Sequence, residues 1–211
     1  MIEYPPVTLP KDLTGVHNGS VPKTLLSQVQ MPNASFQMHH TAARAWHAMS
    51  VVCFAETKQW LAASGVGRTF QQQWDLFFSR YTPTYIPGRN VLTSQRIYNG
   101  KRYYLRRGVF PCARPGESNH GLWIAIDLAV SEGPGKPLGY ITANPALWGF
   151  IFTHATEYGF GWEGARVPPD WKPGQPAPAG WEPHHIRYVA GDAIPQKVLD
   201  VEAFLEAATR P

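Results

Sequence analysis

Apolar side chains recur at intervals of three and four residues in four stretches of the chain, which is the spacing of an amphipathic helix. The predicted helices cover residues 41–63, 70–81, 145–158 and 195–209. Asn144 and Pro145 offer a cap and a first-turn proline for the third helix, and Gly159 can end it. In the last helix, four side chains are expected to face inward: Val198, Val201, Leu205 and Ala208.

Three other segments have the pattern of β-strands. Asn99-Gly100 lies between two strand-like segments, so residues 94–106 are predicted to form a hairpin. Residues 122–130 are apolar and contain β-branched side chains, which favours a central strand, and residues 186–189 are predicted as a further strand. Together these elements indicate an α+β fold, with a small antiparallel sheet and helices packed mainly on one of its sides.

The chain is predicted to form a single domain, because 211 residues are enough for one substantial core. Residues 1–21 are rich in proline and show no periodicity, so they are expected to form an extended N-terminal arm on a domain that covers 22–211. Residues 163–180 hold many proline and glycine residues and are expected to form an ordered loop beside the functional site. Cys53 is expected to be a buried free thiol.

The composition is that of a globular protein, with 44% apolar and 16% charged residues. A net charge of +4 favours a polyanionic partner, and both nucleic acid and a bacterial cell wall fit that charge. No run of Lys and Arg and no nucleic-acid motif is present, so no nucleic-acid partner is predicted. The first residues lack the pattern of a signal peptide, and no apolar stretch is long enough to cross a bilayer. We therefore expect a monomer made in the cytoplasm that does not bind membranes.

Two short segments carry the chemistry. His120 and Asp127 lie seven residues apart in the first segment, and in the second His185 follows Glu182 by three residues. Two imidazoles and one carboxylate are three metal ligands, and a catalytic zinc ion takes three protein ligands and keeps a fourth position for water. Glu182, expected on a short turn, is then available as the general base for that water. The sequence therefore predicts a zinc peptidase.

The same segments resemble the motifs of a known family. Ser-x-His-(six residues)-Asp over 118–127, followed by Glu-x-x-His over 182–185, is similar to the zinc D-alanyl-D-alanine carboxypeptidases and the related phage endolysin peptidases. Residues 64–73 resemble that family's Ser-Gly-Tyr-Arg-(Ser/Thr)-(aromatic)-x-x-Gln segment. Residues 182–189 match its wording Glu-Pro-x-His-x-Arg-Tyr-Val. The resemblance runs from about Asn18 to about Val189 and so covers most of the chain.

The resemblance implies one zinc ion per chain, bound at the sheet by His120, Asp127 and His185. It implies that Glu182 is the catalytic base and that Arg68 steadies the substrate carbonyl or the developing oxyanion.

Four further residues are expected to contact substrate or to shape its site. Gln73 aligns with the family's glutamine, and the adjacent Gln71 and Gln72 are the alternatives for that position. Ser118 is expected to bind substrate or to order the loop of His120. Trp123 stands where the family usually has Gly, and His184 stands where a Trp often precedes the second metal histidine. The other histidines are expected to be structural, namely His17, His39, His40, His47 and His154.

The leading function that the resemblance implies is hydrolysis of peptidoglycan stem peptides by a phage endolysin endopeptidase, at the L-Ala-D-Glu bond or at a D,D bond. The absence of a signal pattern agrees with release to the cell wall through a holin. The wording Asn-Gly-x-x-Pro over 18–22, followed by Ala-Ala-Arg-Ala-Trp over 42–46, also resembles the phage lysins. The wording around the second histidine resembles the D-Ala-D-Ala enzymes, so a D-Ala-D-Ala carboxypeptidase is the alternative. A catalytically silent wall-binding module is the candidate from a different class.

Overall fold

The computed structural model describes residues 8–164, 175 and 181–209. Its helices are α1 (His40–Thr57), α2 (Phe70–Arg80), α3 (Pro145–His154) and α4 (Gln196–Thr209). Its strands are β1 (Leu26–Gln30), β2 (Ser35–His39), β3 (Ala62–Gly65), β4 (Tyr81–Thr82), β5 (Asn90–Tyr98), β6 (Lys101–Arg106), β7 (Ala125–Val130), β8 (Gly139–Tyr140), β9 (Phe160–Gly164) and β10 (Trp181–Tyr188).

Within the part of the chain that the structure describes, the strands form three antiparallel sheets. The central sheet has the order β3-β7-β10-β9, and β8 pairs with the outer part of β7. The β1-β2 hairpin stands alone, and the third sheet has the order β4-β6-β5. The predicted α+β class, with antiparallel sheets, is therefore confirmed. The two inner strands of the central sheet, β7 and β10, hold two of the three predicted metal ligands.

The main core lies between the central sheet and helices α1, α3 and α4. Trp46 of α1 and Trp148 of α3 are both fully buried, and Trp148 lies within ring-contact distance of Trp162 and Trp181. Cys53 is buried in the same core as a free thiol, as predicted, and burial raises its pKa to about 11. These buried aromatic residues are thus core rather than binding surface.

A second, smaller core joins α2 to the third sheet. Phe77 and Tyr81 are buried there with their rings stacked, and Tyr103 and Leu105 of β6 pack against them. The helix predicted over 70–81 therefore packs on this sheet through Phe77 and Phe78. The predicted hairpin around Asn99-Gly100 forms the outer edge of this unit, and Asn99 has the positive φ that its turn requires.

The first helix is shorter than predicted. It ends at Thr57, whose hydroxyl donates to the carbonyl of Cys53, and Lys58 takes the left-handed conformation at φ 61°. The chain then turns into β3, which occupies the end of the predicted helix. Trp60 continues the apolar spacing of a helix in the sequence, which is why the predicted helix is too long. In the structure it lies beyond the helix, and its ring stacks on that of Phe54.

The ends of the last helices follow their local sequence. Asn144 caps α3 by accepting from the backbone N–H of Leu147, and Gly159 closes the following 3₁₀ turn at φ 80°. In α4, Val198 and Val201 are buried and Leu205 packs against the core. The prediction for Ala208 is wrong, because the last turn extends past the core and leaves this residue exposed.

The segment after residue 7 is bound closely to the domain. Thr8 forms a bridge to Ala190, a 3₁₀ turn covers Lys11–Leu13, and Leu13 and Val21 are buried in the main core. Most of the loop predicted over 163–180 lies outside the described residues, as do residues 1–7 of the predicted arm. Within the described ranges, no helix combines the length and apolar character needed to span a bilayer.

We predict that Asn144→Ala lowers the free energy of unfolding by about 1 kcal/mol, because it removes the side-chain cap of α3. Asn144 also donates to the amide oxygen of Gln59, so Gln59→Ala is the matched control for that second bond. Urea unfolding monitored by circular dichroism measures both. Asn144→Asp keeps the capping oxygen and should retain most of the stability; equal losses in the Ala and Asp variants would contradict the capping role.

Candidate metal centre

The pairing of β7 with β10 brings the first two candidate ligands together. His185 and Asp127 are direct partners in this antiparallel register, so their side chains leave the sheet on the same face. His185 Nδ1 lies 2.9 Å from Asp127 Oδ1. A shift of one residue in either strand would turn one of the two side chains to the other face. The register also distinguishes His185 from its neighbour His184, because it is His185 that faces the carboxylate.

His120 reaches the same carboxylate from a 3₁₀ turn, Asn119–Leu122, that leads into β7. Its ring is buried, and Nδ1 lies against the backbone carbonyl of Val66. A carbonyl only accepts hydrogen bonds, so this contact places the proton of a neutral imidazole on Nδ1 and leaves a lone pair on Nε2. His120 Nε2 lies 3.3 Å from Asp127 Oδ2.

The three side chains form one of the candidate metal-binding groups among the described residues. One ligand atom from each of His120, Asp127 and His185 lies within 4.8 Å of the others. Burial alone raises the pKa of Asp127, but the hydrogen bonds and charges of the two rings hold it well below its ordinary value. The carboxylate is therefore anionic, and a metal ion that replaced the ring protons would meet it together with the two imidazoles. Two imidazoles and one carboxylate match the donor set of a catalytic zinc ion.

Arg68 is held near this group by two contacts. Its backbone N–H donates to the carbonyl of His120, and its Nη1 donates to Gln73 Oε1 at 2.8 Å. Burial lowers the pKa of the Arg68 guanidinium and the charge of Asp127 opposes that effect, while arginine stays a cation at any physiological pH. The structure therefore places a fixed positive charge beside the candidate metal ligands.

Gln73 supports Arg68 from a buried position, and its contact with substrate stays a prediction. Its side chain is only 2% exposed, and its Nε2 donates to the carbonyl of Ala113. Its two neighbours are engaged elsewhere, since Gln72 completes the capping box of α2 and Gln71 donates to Asp75. Of the three glutamines, Gln73 is thus the one that contacts Arg68.

Ser118 and Trp123 begin and end the turn that carries His120. Ser118 is buried, and its carbonyl accepts from the N–H of Gly121, so it orders the loop. Trp123 adopts a left-handed conformation at φ 56°, which explains physically why glycine suits this position. A Cβ at Gly67 would lie 1.9 Å from Trp123 Nε1, so the indole occupies space that only a glycine leaves open.

Glu182 and His184 lie in β10 rather than on the predicted short turn. The strand begins at Trp181, five residues before the predicted start, and its pairing with β9 shifts between Trp181 and Ile186. Glu182 is exposed, and His184 is half-buried. In a regular strand an offset of three would put Glu182 and His185 on opposite faces, whereas a bulge breaks that alternation.

Asn18 and Gly19 are site-supporting residues that the sequence did not single out. Asn18 Nδ2 donates to the carbonyl of Ser118 at 2.7 Å, and the N–H of Gly19 donates to the carbonyl of Gly121. The carbonyl of Gly19 accepts from the N–H of Phe70, at the start of α2. The two residues thus connect the turn of His120 to the segment of Arg68. The only sequence signal was the wording Asn-Gly-x-x-Pro over 18–22.

Comparisons with known proteins agree with this arrangement. A model of the VanY family, described as D-alanyl-D-alanine carboxypeptidase, matches residues 35–191. No curated protein sequence matches the chain.

Solved structures of peptidoglycan peptidases are similar at low sequence identity. A Zn(II) complex of the vancomycin resistance D,D-pentapeptidase VanY from a VanB-type cassette is 17% identical, with 88% of this chain and 93% of that chain covered and a TM-score of 0.45. The D,D-dipeptidase VanXYg in complex with a D-Ala-D-Ala phosphinate analogue is 17% identical, with 95% of this chain and 71% of that chain covered and a TM-score of 0.48. The LD-carboxypeptidase LdcB is 17% identical, with 87% of this chain and 89% of that chain covered and a TM-score of 0.40. All three TM-scores are below 0.5, so the family assignment rests on the family model.

We predict that Asn18→Ala weakens zinc binding by roughly tenfold, because the turn that carries His120 loses a bond that fixes its position. Competition with a chromogenic chelator measures the affinity. Ser20→Ala, an exposed change two residues away, is the matched control and should bind zinc like the wild type. An unchanged affinity in Asn18→Ala would show that the turn holds its shape without this bond.

Proposed function

Because the chain belongs to the VanY family of D-alanyl-D-alanine carboxypeptidases, we propose that it is a zinc-dependent peptidase acting on the stem peptides of bacterial peptidoglycan. The observation that carries this proposal is the convergence of His120, Asp127 and His185 on one face of the central sheet. The pairing of β7 with β10 and the bond from His120 to Val66 fix these three side chains independently of any substrate.

In this proposal one zinc ion would be held by His120 through Nε2, by His185 through Nδ1 and by Asp127 through its carboxylate. When bound, zinc supplies a Lewis acid that polarises a carbonyl and brings the pKa of a coordinated water to about 7. The protein's own part is to keep the ligands in the required protonation states. The contact of His120 Nδ1 with a carbonyl and the low pKa of Asp127 both support this role.

Glu182 is the proposed general base. Its carboxylate takes a proton from the attacking water and returns it to the nitrogen of the leaving amine. It is exposed in β10, three residues before His185, and the bulge in this part of the strand allows both side chains to serve one site. Because the acid is exposed, it can exchange protons with substrate and solvent without further rearrangement.

Arg68 is proposed to stabilise the negative charge that develops on the scissile carbonyl oxygen. A guanidinium suits this role because its charge and its donors are fixed in advance, so little reorganisation is needed during the reaction. The bond to Gln73 supports this assignment, since it holds the planar group in one orientation. Trp123, which packs over Gly67 next to Arg68, and the half-buried His184 are proposed to shape the substrate site.

For the bond that is cut, we propose first an endopeptidase of the phage endolysin kind, which cleaves the L-Ala-D-Glu bond or a D,D bond within the wall. The support is the Asn-Gly-x-x-Pro wording, whose Asn18 and Gly19 support the turn of His120. Release to the wall through a holin and action as a monomer belong to the same proposal.

A D-Ala-D-Ala carboxypeptidase is the second candidate, and the position of Arg187 favours it. A carboxypeptidase needs a cation for the substrate's terminal carboxylate. Arg187 lies two residues after His185 in β10, and its Nη1 donates to Asn119, the neighbour of His120. Arg114 is less suitable, since it pairs with Glu117 and donates to the carbonyl of Ile97. A catalytically silent wall-binding module would have no use for Glu182 and Arg68.

We predict that the zinc-loaded wild type cleaves peptidoglycan fragments and that Glu182→Gln lowers the rate at least 100-fold while zinc content is unchanged, because only proton transfer is lost. Glu157→Gln, which changes an exposed glutamate near α3, is the matched control. Mass spectrometry identifies the products. New internal ends establish the endopeptidase, and release of single D-Ala residues establishes the carboxypeptidase. No cleavage by a zinc-loaded wild type would contradict the enzyme and favour the binding module.

A further inference from the structure

A second group of metal-binding side chains lies outside the site described above. Asp12, His39 and His40 each offer a ligand atom, and these atoms lie within 4.8 Å of one another. His39 Nε2 is 2.9 Å from Asp12 Oδ1, and His40 Nε2 is 2.7 Å from Asp12 Oδ2. Each ring nitrogen therefore faces a different oxygen of one carboxylate. The donor set of two imidazoles and one carboxylate is the same as that of the candidate catalytic centre.

Local structure fixes the three side chains independently of the catalytic centre. His39 is the last residue of β2 and the N-cap of α1, and His40 is the first residue of that helix. Their ring centroids are 4.3 Å apart. Asp12 comes from the 3₁₀ turn Lys11–Leu13, and the neighbouring Lys11 is tied to Asp192. These three residues thus join the N-terminal segment to the start of α1.

The charges at this group favour a cation. Burial raises the pKa of Asp12, but its bonds to His40 and His39 and their charges lower it overall, so the group is an anion at neutral pH. Burial lowers the pKa of His39, whose ring is fully buried, while the charge of Asp12 opposes that effect. The carboxylate of Asp192 adds negative charge close to His39. The N-terminus of α1 carries a partial positive charge, which disfavours a cation. The negative charge of Asp12 compensates for that partial charge.

The geometry also leaves room for an ion to enter. The side chains of Asp12 and His40 are 34% and 46% exposed, so water can complete the coordination. Zinc bonds of about 2.0–2.2 Å place neighbouring ligand atoms roughly 3.3 Å apart, so the carboxylate needs to retreat by only about 0.5 Å. An exposed side chain in a short turn can make that movement, whereas His39 stays fixed by burial.

We propose that Asp12, His39 and His40 form a second binding site for a divalent transition metal of the zinc class. The site is structural, because it joins the N-terminal segment to α1. It also stiffens the turn of His120, since the backbone N–H of His39 donates to the carbonyl of Trp123 at 2.9 Å. This proposal is independent of the proposed peptidase activity, because separate variants test the two metal sites.

The test is the zinc content of the full chain after dialysis against dilute zinc, measured by plasma mass spectrometry. The expected content is two ions in the wild type, one in Asp12→Asn, one in Asp127→Asn and none in the double variant. Asp12→Asn can still accept a hydrogen bond from one ring and donate one to the other, but it removes the anionic ligand, so it separates metal binding from simple hydrogen bonding. His47→Gln, an exposed change on the same helix, is the matched control and should keep two ions.

A wild type that binds one ion, with no loss in Asp12→Asn, would overturn the proposal and leave the group as a hydrogen-bonded latch. Two ions in Asp127→Asn would instead contradict the catalytic centre. Thermal unfolding gives a second measurement: zinc should raise the midpoint of Asp127→Asn and should not raise that of the double variant. A rise of equal size in both variants would place the ion elsewhere and would also overturn the proposal.

Discussion

The contact of Asp127 with two imidazoles is the interaction on which the site depends. The carboxylate lies between His185, its direct partner across two strands, and His120, which reaches it from the preceding turn. Burying an anion costs free energy unless it is paired, so this face of the sheet is stable only while the imidazoles or a metal ion accompany the carboxylate. The register of β7 and β10 therefore serves the fold and the chemistry at once.

Several segments distant in sequence hold the turn of His120 against that strand pair. Val66 fixes the ring, Asn18 and Gly19 bind the carbonyls of the turn, and His39 binds its last residue. None of these supports is near His120 in sequence. The N-terminal segment, although it precedes the residues that match the family, is thus part of the site's architecture. In agreement with this role, the N-terminal segment packs on the domain through the buried side chain of Leu13.

The sequence predicts those features that depend on local spacing or on a recognisable motif. The cap at Asn144, the turn at Asn99-Gly100 and the three candidate ligands each have such a signal. Features set by long-range packing had none. The first helix was predicted too long because Trp60 continues the apolar spacing, although the chain has already turned there. The role of Asn18 depends on a partner 100 residues away in sequence, so no local pattern reveals it.

The most direct test is an anomalous difference map at the zinc absorption edge, from a crystal of the protein grown with zinc. The account predicts a peak about 2.0–2.2 Å from His120 Nε2, from a carboxylate oxygen of Asp127 and from His185 Nδ1. A protein fully loaded with zinc but without a peak at these three atoms, or with His184 in place of His185 as a ligand, would contradict it.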